Sequence, residues 1–112
     1  MLVLNRFVVP SDADEFAERA HVALAALAER PGYLSGRLTR ALDDPDHWTL
    51  VTEWESVGAY RRALGGFDVK VHATPLLALS VDAPSAFETL ASAAPGGEVV
   101  IEASDRAPDP WR

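Results

Sequence analysis

Few side chains in this sequence could do chemistry, and they are widely spaced. The three histidines, His21, His47 and His72, are scattered, and none has a second ligand two or four residues on, as a metal site built on one strand or helix needs. His72 stands apart because it falls in "FDVKVHATP", between a helical segment and the last strand-like segment. A connection of that kind crosses one end of a sheet. An imidazole there can face a cleft and take or give a proton. The plainer reading is a solvated histidine on a short helix. Asn5 is the second candidate, a carboxamide inside the apolar run "LVLNRFVV". Once buried it must find hydrogen-bond partners, either in a neighbouring strand or in the oxygen of a ligand. Trp48 and Trp54 have the same parity on one strand, so they share a face. Such a pair forms either plain core or the wall of a pocket for a flat aromatic molecule.

Composition removes several other chemistries. There is no cysteine, hence no disulfide, thiolate metal site or thiol nucleophile. Gly65-Gly66 has no Lys-Ser/Thr behind it and reads as a helix terminator rather than a phosphate loop. No Gly-x-Ser-x-Gly elbow occurs. Asp43, Asp44 and Asp46 lack the spacing and closing glutamate of a calcium loop, and read as a solvated turn. Ten basic against seventeen acidic residues give a net charge of -7, which argues against nucleic-acid and anionic-membrane partners. No basic leader or bilayer-length apolar stretch is visible, so a cytoplasmic location is expected.

The elements that must position these residues follow from periodicity. Residues 2–9 read as a strand, apolar on both faces and ended by Pro10. Ser11 is the expected N-cap of a first helix, with Asp12, Asp14 and Glu15 favouring its positive end. Phe16, Ala20, Ala23, Leu24 and Leu27 recur at helical spacing, and the helix stops near Arg30, before Pro31-Gly32. "YLSGRLTRAL" and "HWTLVTEW" flank the turn residues "DDPD", so 33–54 reads as a β-hairpin. Ser56 caps a second helix over "VGAYRRAL", which Gly65-Gly66 ends. "FDVKVHA" adds a helical turn or two before a stop at Thr74-Pro75, and "SAFETLAS", 85–92, is the expected last strand. The order is β-α-β-β-α-β, an α+β ferredoxin-like domain over residues 1–94 with an antiparallel sheet and both helices on one face. Strands that are apolar on both sides need a second cover, so a partner's sheet, and thus a homodimeric α/β barrel, is expected. Residues 95–112 form a tail in which "EVVIEAS" is a candidate extra edge strand and "DRAPDPWR" is expected to fray.

"RPGYLSGRL" after an amphipathic helix, then "WTLVTEWESVGAYRRAL" and "HATP", resembles the antibiotic biosynthesis monooxygenase (ABM) family over about residues 2–92. The resemblance implies the same fold and dimer. It also implies one of several functions. Some members are cofactor-free oxygenases that convert aromatic polyketide phenols to quinones. On that reading Asn5 holds a substrate oxygen, His72 is the base, and Trp48, Trp54, Tyr60 and Phe67 wall a planar aromatic ligand, with no metal or cofactor. Other members degrade haem, using a first-strand Asn, a second-helix Trp and a following His as iron ligand. Those positions fall on Asn5, Ala63 and His72, so the indole that buckles the porphyrin is missing. The third reading is a dimeric small-molecule-binding domain without catalysis.

Overall fold

A computed structural model describes residues 1–104. Strand β1 (Leu2–Val8) leads into helix α1 (Ala13–Ala28). The hairpin β2 (Tyr33–Arg40) and β3 (His47–Trp54) is followed by α2 (Val57–Leu64), α3 (Phe67–His72), α4 (Thr74–Leu77) and the short β4 (Ala86–Phe87). The sheet is antiparallel in the order β2-β3-β1-β4, the ferredoxin-like arrangement. Its register sets Asn5 opposite Leu50 and Val3 opposite Thr52. No helix among the described residues is long and apolar enough to cross a membrane.

Strand alternation decides which side chains meet the helices. Val3, Asn5 and Phe7 of β1 and Trp48, Leu50, Thr52 and Trp54 of β3 point to the helix side and are buried. Phe16, Ala20, Ala23 and Leu27 of α1, and Val69, Ala73 and Leu76 further on, complete the core. The two alanines of α1 are fully buried, and their small size lets this helix lie close to its neighbours. Gly32 is required where the chain turns between α1 and β2: its φ is +88°, and a Cβ there would collide with Ala59 of α2. Ser56 caps α2, its Oγ accepting from the Ala59 N–H at 3.1 Å.

On the opposite side of the sheet no helix packs among the described residues. Leu2, Leu4, Val8, Val51 and Phe87 share that face with Arg6 and Arg37. The two-sided apolar character of β1 expected from its composition is present.

Four details depart from the sequence reading. The cap of α1 is Asp12, not Ser11: Asp12 takes a left-handed conformation (φ 56°, ψ 40°) and makes no side-chain cap bond, while its carbonyl accepts from Phe16 N–H. Aspartate tolerates that region better than most residues. Thr74-Pro75 does not stop the helix, because Ala73 stays right-handed and Pro75 falls in the first turn of α4, where no amide donor is needed. The last strand is shorter than 85–92. With Phe87 opposite Leu2, residues 89–92 lie past the end of β1, and the chain swings away. Ala91–Ser92 (β5) pairs instead with Val100–Ile101 (β6) in a separate two-stranded sheet, so "EVVIEAS" is not an edge of the main sheet. The expectation for "DRAPDPWR" concerns residues 105–112, outside the described residues.

Candidate functional site

Asn5 is the one polar side chain that β1 turns toward the helices, between Val3 and Phe7. Above it the helical layer does not close. A cleft of about 680 Å³ is lined by Asn5, by Tyr60 and Leu64 of α2, and by Lys70, Thr74, Leu77 and Ala78. The helix residues come together through spacing. Tyr60 and Leu64 are four apart, and 70, 74, 77 and 78 fall on one helical face because the backbone stays helical through Ala73. Thr74 is available as a wall residue only because the helix runs on past the expected stop.

The polar groups in this otherwise apolar cleft are few. Asn5 is 9 % exposed, and its carboxamide forms no hydrogen bond with any described residue. Its donors and acceptor are therefore free for whatever enters the cleft. Tyr60 packs its ring on Trp54, with centroids 5.5 Å apart and planes at 54°. Burial raises its hydroxyl pKa above the ordinary 10.0, so near neutrality it remains a neutral donor. Lys70, on an exposed part of α3, brings an ammonium group to the rim in a chain of net charge -7. Such a site can orient a planar ligand by one or two oxygens and favour negative charge on it.

The other sequence candidates lie elsewhere. His72 is exposed and lines an outer depression with Glu18, Arg19, Val22, Val71 and Pro75. Two residues beyond Lys70, it is rotated by about 200° around the helix, so the turn that brings Lys70 to the cleft carries His72 toward α1. The structure does not bring His72 and Asn5 together at one cavity. Trp54 is fully buried beneath Tyr33 and Tyr60, and its Nε1 donates to Thr52 Oγ1 at 2.8 Å. Trp48 is core at the other end of β3, edge-on to Phe16, with the Arg40 guanidinium 5.0 Å from its ring. Phe67 is largely exposed and does not line the cleft. Of the expected walls, only Tyr60 does. Lys70, Thr74, Leu64 and Leu77 were missed, although helical spacing pairs Leu64 with Tyr60 and groups 70, 74 and 77.

The residues do not fit haem. His72, as an iron ligand, would hold haem in a depression lined by Glu18 and Arg19 that does not include Asn5, and Ala63 is buried in the core. Among the described residues no three His, Cys, Asp or Glu side chains cluster as metal ligands. A second hollow, about 730 Å³, lies by the end of β3 and is lined by Glu53, Glu55, Glu88 and Glu102. Four carboxylates suit an apolar ligand poorly, so the Asn5 cleft is the better site despite being slightly smaller.

The sequence profile of a known family, antibiotic biosynthesis monooxygenase, matches residues 1–72. Among solved structures the chain is similar to SnoaB, a cofactor-independent oxygenase from Streptomyces nogalater. A point variant of SnoaB is 25% identical, with 95% of this chain and 93% of that chain covered and a TM-score of 0.64. A conserved protein from Methanosarcina mazei Go1 is 20% identical over 76% of this chain and 84% of that one, with a TM-score of 0.62. Rv0793 from Mycobacterium tuberculosis is 15% identical over 95% and 97%, with a TM-score of 0.60. The last two likenesses speak to the fold alone. No curated protein sequence matches the chain.

Proposed function

Since the chain belongs to the antibiotic biosynthesis monooxygenase family, we propose that it is a cofactor-independent monooxygenase that oxidises a planar aromatic phenol with dioxygen in the Asn5 cleft. The observation that carries this reading is the nearly buried, unpartnered Asn5 carboxamide at the floor of an apolar cleft. The likeness to SnoaB over almost the whole chain supports it.

The substrate ring lies among Leu64, Leu77, Ala78 and the Tyr60 ring, and the Asn5 amide donates to its carbonyl or phenolic oxygen. In an anthrone-like substrate, loss of a proton from the ring methylene leaves an electron-rich enolate. Asn5, the Tyr60 hydroxyl and the Lys70 ammonium stabilise its oxygen, and the proton leaves to water at the open mouth. The enolate reduces dioxygen, a carbon–oxygen bond forms at the same carbon, and the O–O bond then breaks. One oxygen atom remains as the quinone carbonyl and the other leaves as water. Both methylene C–H bonds are lost, and the substrate supplies all four electrons. His72, Trp48, Trp54 and Phe67 have no binding role in this scheme. The enzyme acts as a homodimer, a second copy covering the helix-free sheet face.

The test is aerobic incubation with a hydroxylated anthrone, without added metal or flavin. Quinone absorbance is expected to rise with one dioxygen consumed per quinone, and Asn5→Ala to slow it at least ~100-fold, the usual cost of one anion-stabilising donor. Equal rates in wild type and Asn5→Ala would overturn the assignment. Hemin is the control: a Soret shift abolished by His72→Ala would move the function to haem. Anthrone binding without turnover would leave a ligand-binding domain.

A further inference from the structure

Both tyrosines of the chain stand on either side of one of its three tryptophans. Tyr60 lines the Asn5 cleft. Its ring lies 5.5 Å, centre to centre, from that of Trp54, and Trp54 lies 5.4 Å from Tyr33. Trp54 is fully buried, whereas Tyr33 is half-buried on β2, the edge strand of the sheet. The three rings form a file from the cleft, through the core, to the outer edge. Packing alone would be served as well by phenylalanine. Trp48, at the other end of β3, has such a neighbour: it is edge-on to Phe16, a ring that gives up an electron far less readily.

Chemistry gives the file a task. In a chain without cysteine, phenols and indoles are the side chains that lose a single electron most readily. Between rings this close, an electron crosses far faster than a typical enzyme turns over. Neither tyrosine hydroxyl bonds a described residue, so its proton is free to leave with the electron. Trp54 Nε1 donates to Thr52 Oγ1 at 2.8 Å. A hydroxyl is too weak a base to take the indole proton, so oxidised Trp54 stays a short-lived cation that recovers its electron from a neighbouring phenol.

We propose that Tyr60, Trp54 and Tyr33 form a radical relay, which carries a one-electron vacancy from the cleft to the outside, where a soluble thiol or ascorbate fills it. This rests on the oxygenase reading and adds what happens when that reaction goes astray. When superoxide escapes after the enolate has given dioxygen one electron, a carbon radical stays in the cleft. It adds a second dioxygen and becomes a peroxyl radical. Tyr60 supplies it with an electron and the hydroxyl proton, and the resulting hydroperoxide loses water to give the quinone. Trp54 returns an electron to the Tyr60 phenoxyl, which takes a proton from water in the cleft. Tyr33 returns an electron to Trp54 and releases its proton to solvent. The reductant then gives Tyr33 an electron, and solvent gives the proton. In sum the reductant loses one electron, and the peroxyl radical gains one electron and one proton.

The first arm of the experiment needs no turnover. Because the chain has no cysteine, Lys70→Cys takes a single ruthenium photo-oxidant at the cleft rim. A flash with an added quencher makes the label a one-electron oxidant. A bulky phenol that couples to tyrosyl radicals then marks the residues reached, which are read by peptide mass mapping. Tyr33 is expected to be marked. Adding Trp54→Phe, with folding checked by circular dichroism, is expected to cut that mark at least tenfold while the mark on Tyr60 rises. Equal marking of Tyr33 with and without Trp54 overturns the relay. Should Trp54→Phe fail to fold, Tyr60→Phe keeps the ring and removes the entry point: the Tyr33 mark is expected to fall as far, and an unchanged mark overturns the relay. The second arm follows aerobic anthrone turnover with excess ascorbate. Tyr33→Phe is expected to keep the initial rate of quinone formation and to inactivate after at least fivefold fewer turnovers. Equal turnovers overturn the protective role. If no anthrone is oxidised, the oxygenase reading fails by itself, and the marking of Tyr33 alone decides the relay.

Discussion

Thr52 and Asn5 are the buried polar residues of the sheet's inner face, one rank apart in neighbouring strands, and they are treated in opposite ways. Thr52 is 2 % exposed, and its hydroxyl accepts from Trp54 Nε1 at 2.8 Å, two residues along the same face of the same strand. That end of the sheet is solid: Trp54 sits edge-on to Tyr33, with centroids 5.4 Å apart, and against Tyr60. Asn5 has no such partner, and the helices above it stand apart. A buried polar group with a protein partner belongs to the architecture. One without a protein partner, lining an apolar cleft open to water, keeps its donors and acceptor available to a ligand. Tyr60 joins the two regions: its ring packs on Trp54 and the same residue lines the cleft.

The contrast can be broken most forcefully at its solid end. Trp54→Ala removes the largest fully buried side chain and strands the Thr52 hydroxyl. A cost of ~3–5 kcal/mol is expected from urea unfolding, as for other large aromatic truncations in cores. A loss below ~1 kcal/mol would mean this end is not the anchor. At the open end Asn5→Leu is expected to cost activity and not stability. Quinone formation falls at least ~100-fold, about 2.7 kcal/mol of transition-state stabilisation, while the urea midpoint stays or rises. Thr52→Val should do the reverse, losing ~1–2 kcal/mol of stability for the unmatched indole N–H with kcat/KM nearly retained. If Asn5→Leu destabilises as much as Thr52→Val, Asn5 is structural and the distinction collapses. Lys70→Met sharpens the open end further. It should raise KM about tenfold for a phenolic substrate, with an effect that shrinks as salt is added, since an exposed ammonium is screened.

The fold was legible because β1 is an apolar run ended by Pro10, α1 carries a helical period, and the 33–54 hairpin alternates on either side of clean turn residues. The acidic turn residues, Ser56 and Gly65-Gly66 mark real boundaries. What failed was local chemistry that two contexts share. Thr74-Pro75 reads equally as a stop or as the first turn of a new helix, and only the course of Ala73 decides. "SAFETLAS" has strand composition, but where β1 ends decides how much of it can pair. The site was half legible. Asn5 was marked by being polar in an apolar run, and the structure puts it on the cleft floor. His72 was judged by its place in the chain, yet two residues of helix rotation separate its direction from that of Lys70. Trp48 and Trp54 were correctly put on one face, but parity does not reveal whether a face is filled or hollow. Here the helices fill it over both indoles and leave it open over Asn5.

The smallest expected effect tests whether Tyr60 really straddles the two regions. Its hydroxyl pKa is raised above 10.0 by burial in the folded chain, whereas in the unfolded chain it titrates near the ordinary value. Below that value both states hold the proton and the group contributes no pH dependence. As pH rises through about 10, the unfolded chain ionises first and stability falls, until the folded hydroxyl titrates as well. Tyr60→Phe keeps the ring on Trp54 and removes that ionisation, so the variant should lose less stability than wild type on going from about pH 9 to about pH 11. Some alkaline loss should persist, because Tyr33 is shifted in the same direction by burial. If wild type and variant decline in parallel, the Tyr60 hydroxyl is open to water in the folded chain, and the cleft is wetter at that wall than the packing of its ring implies.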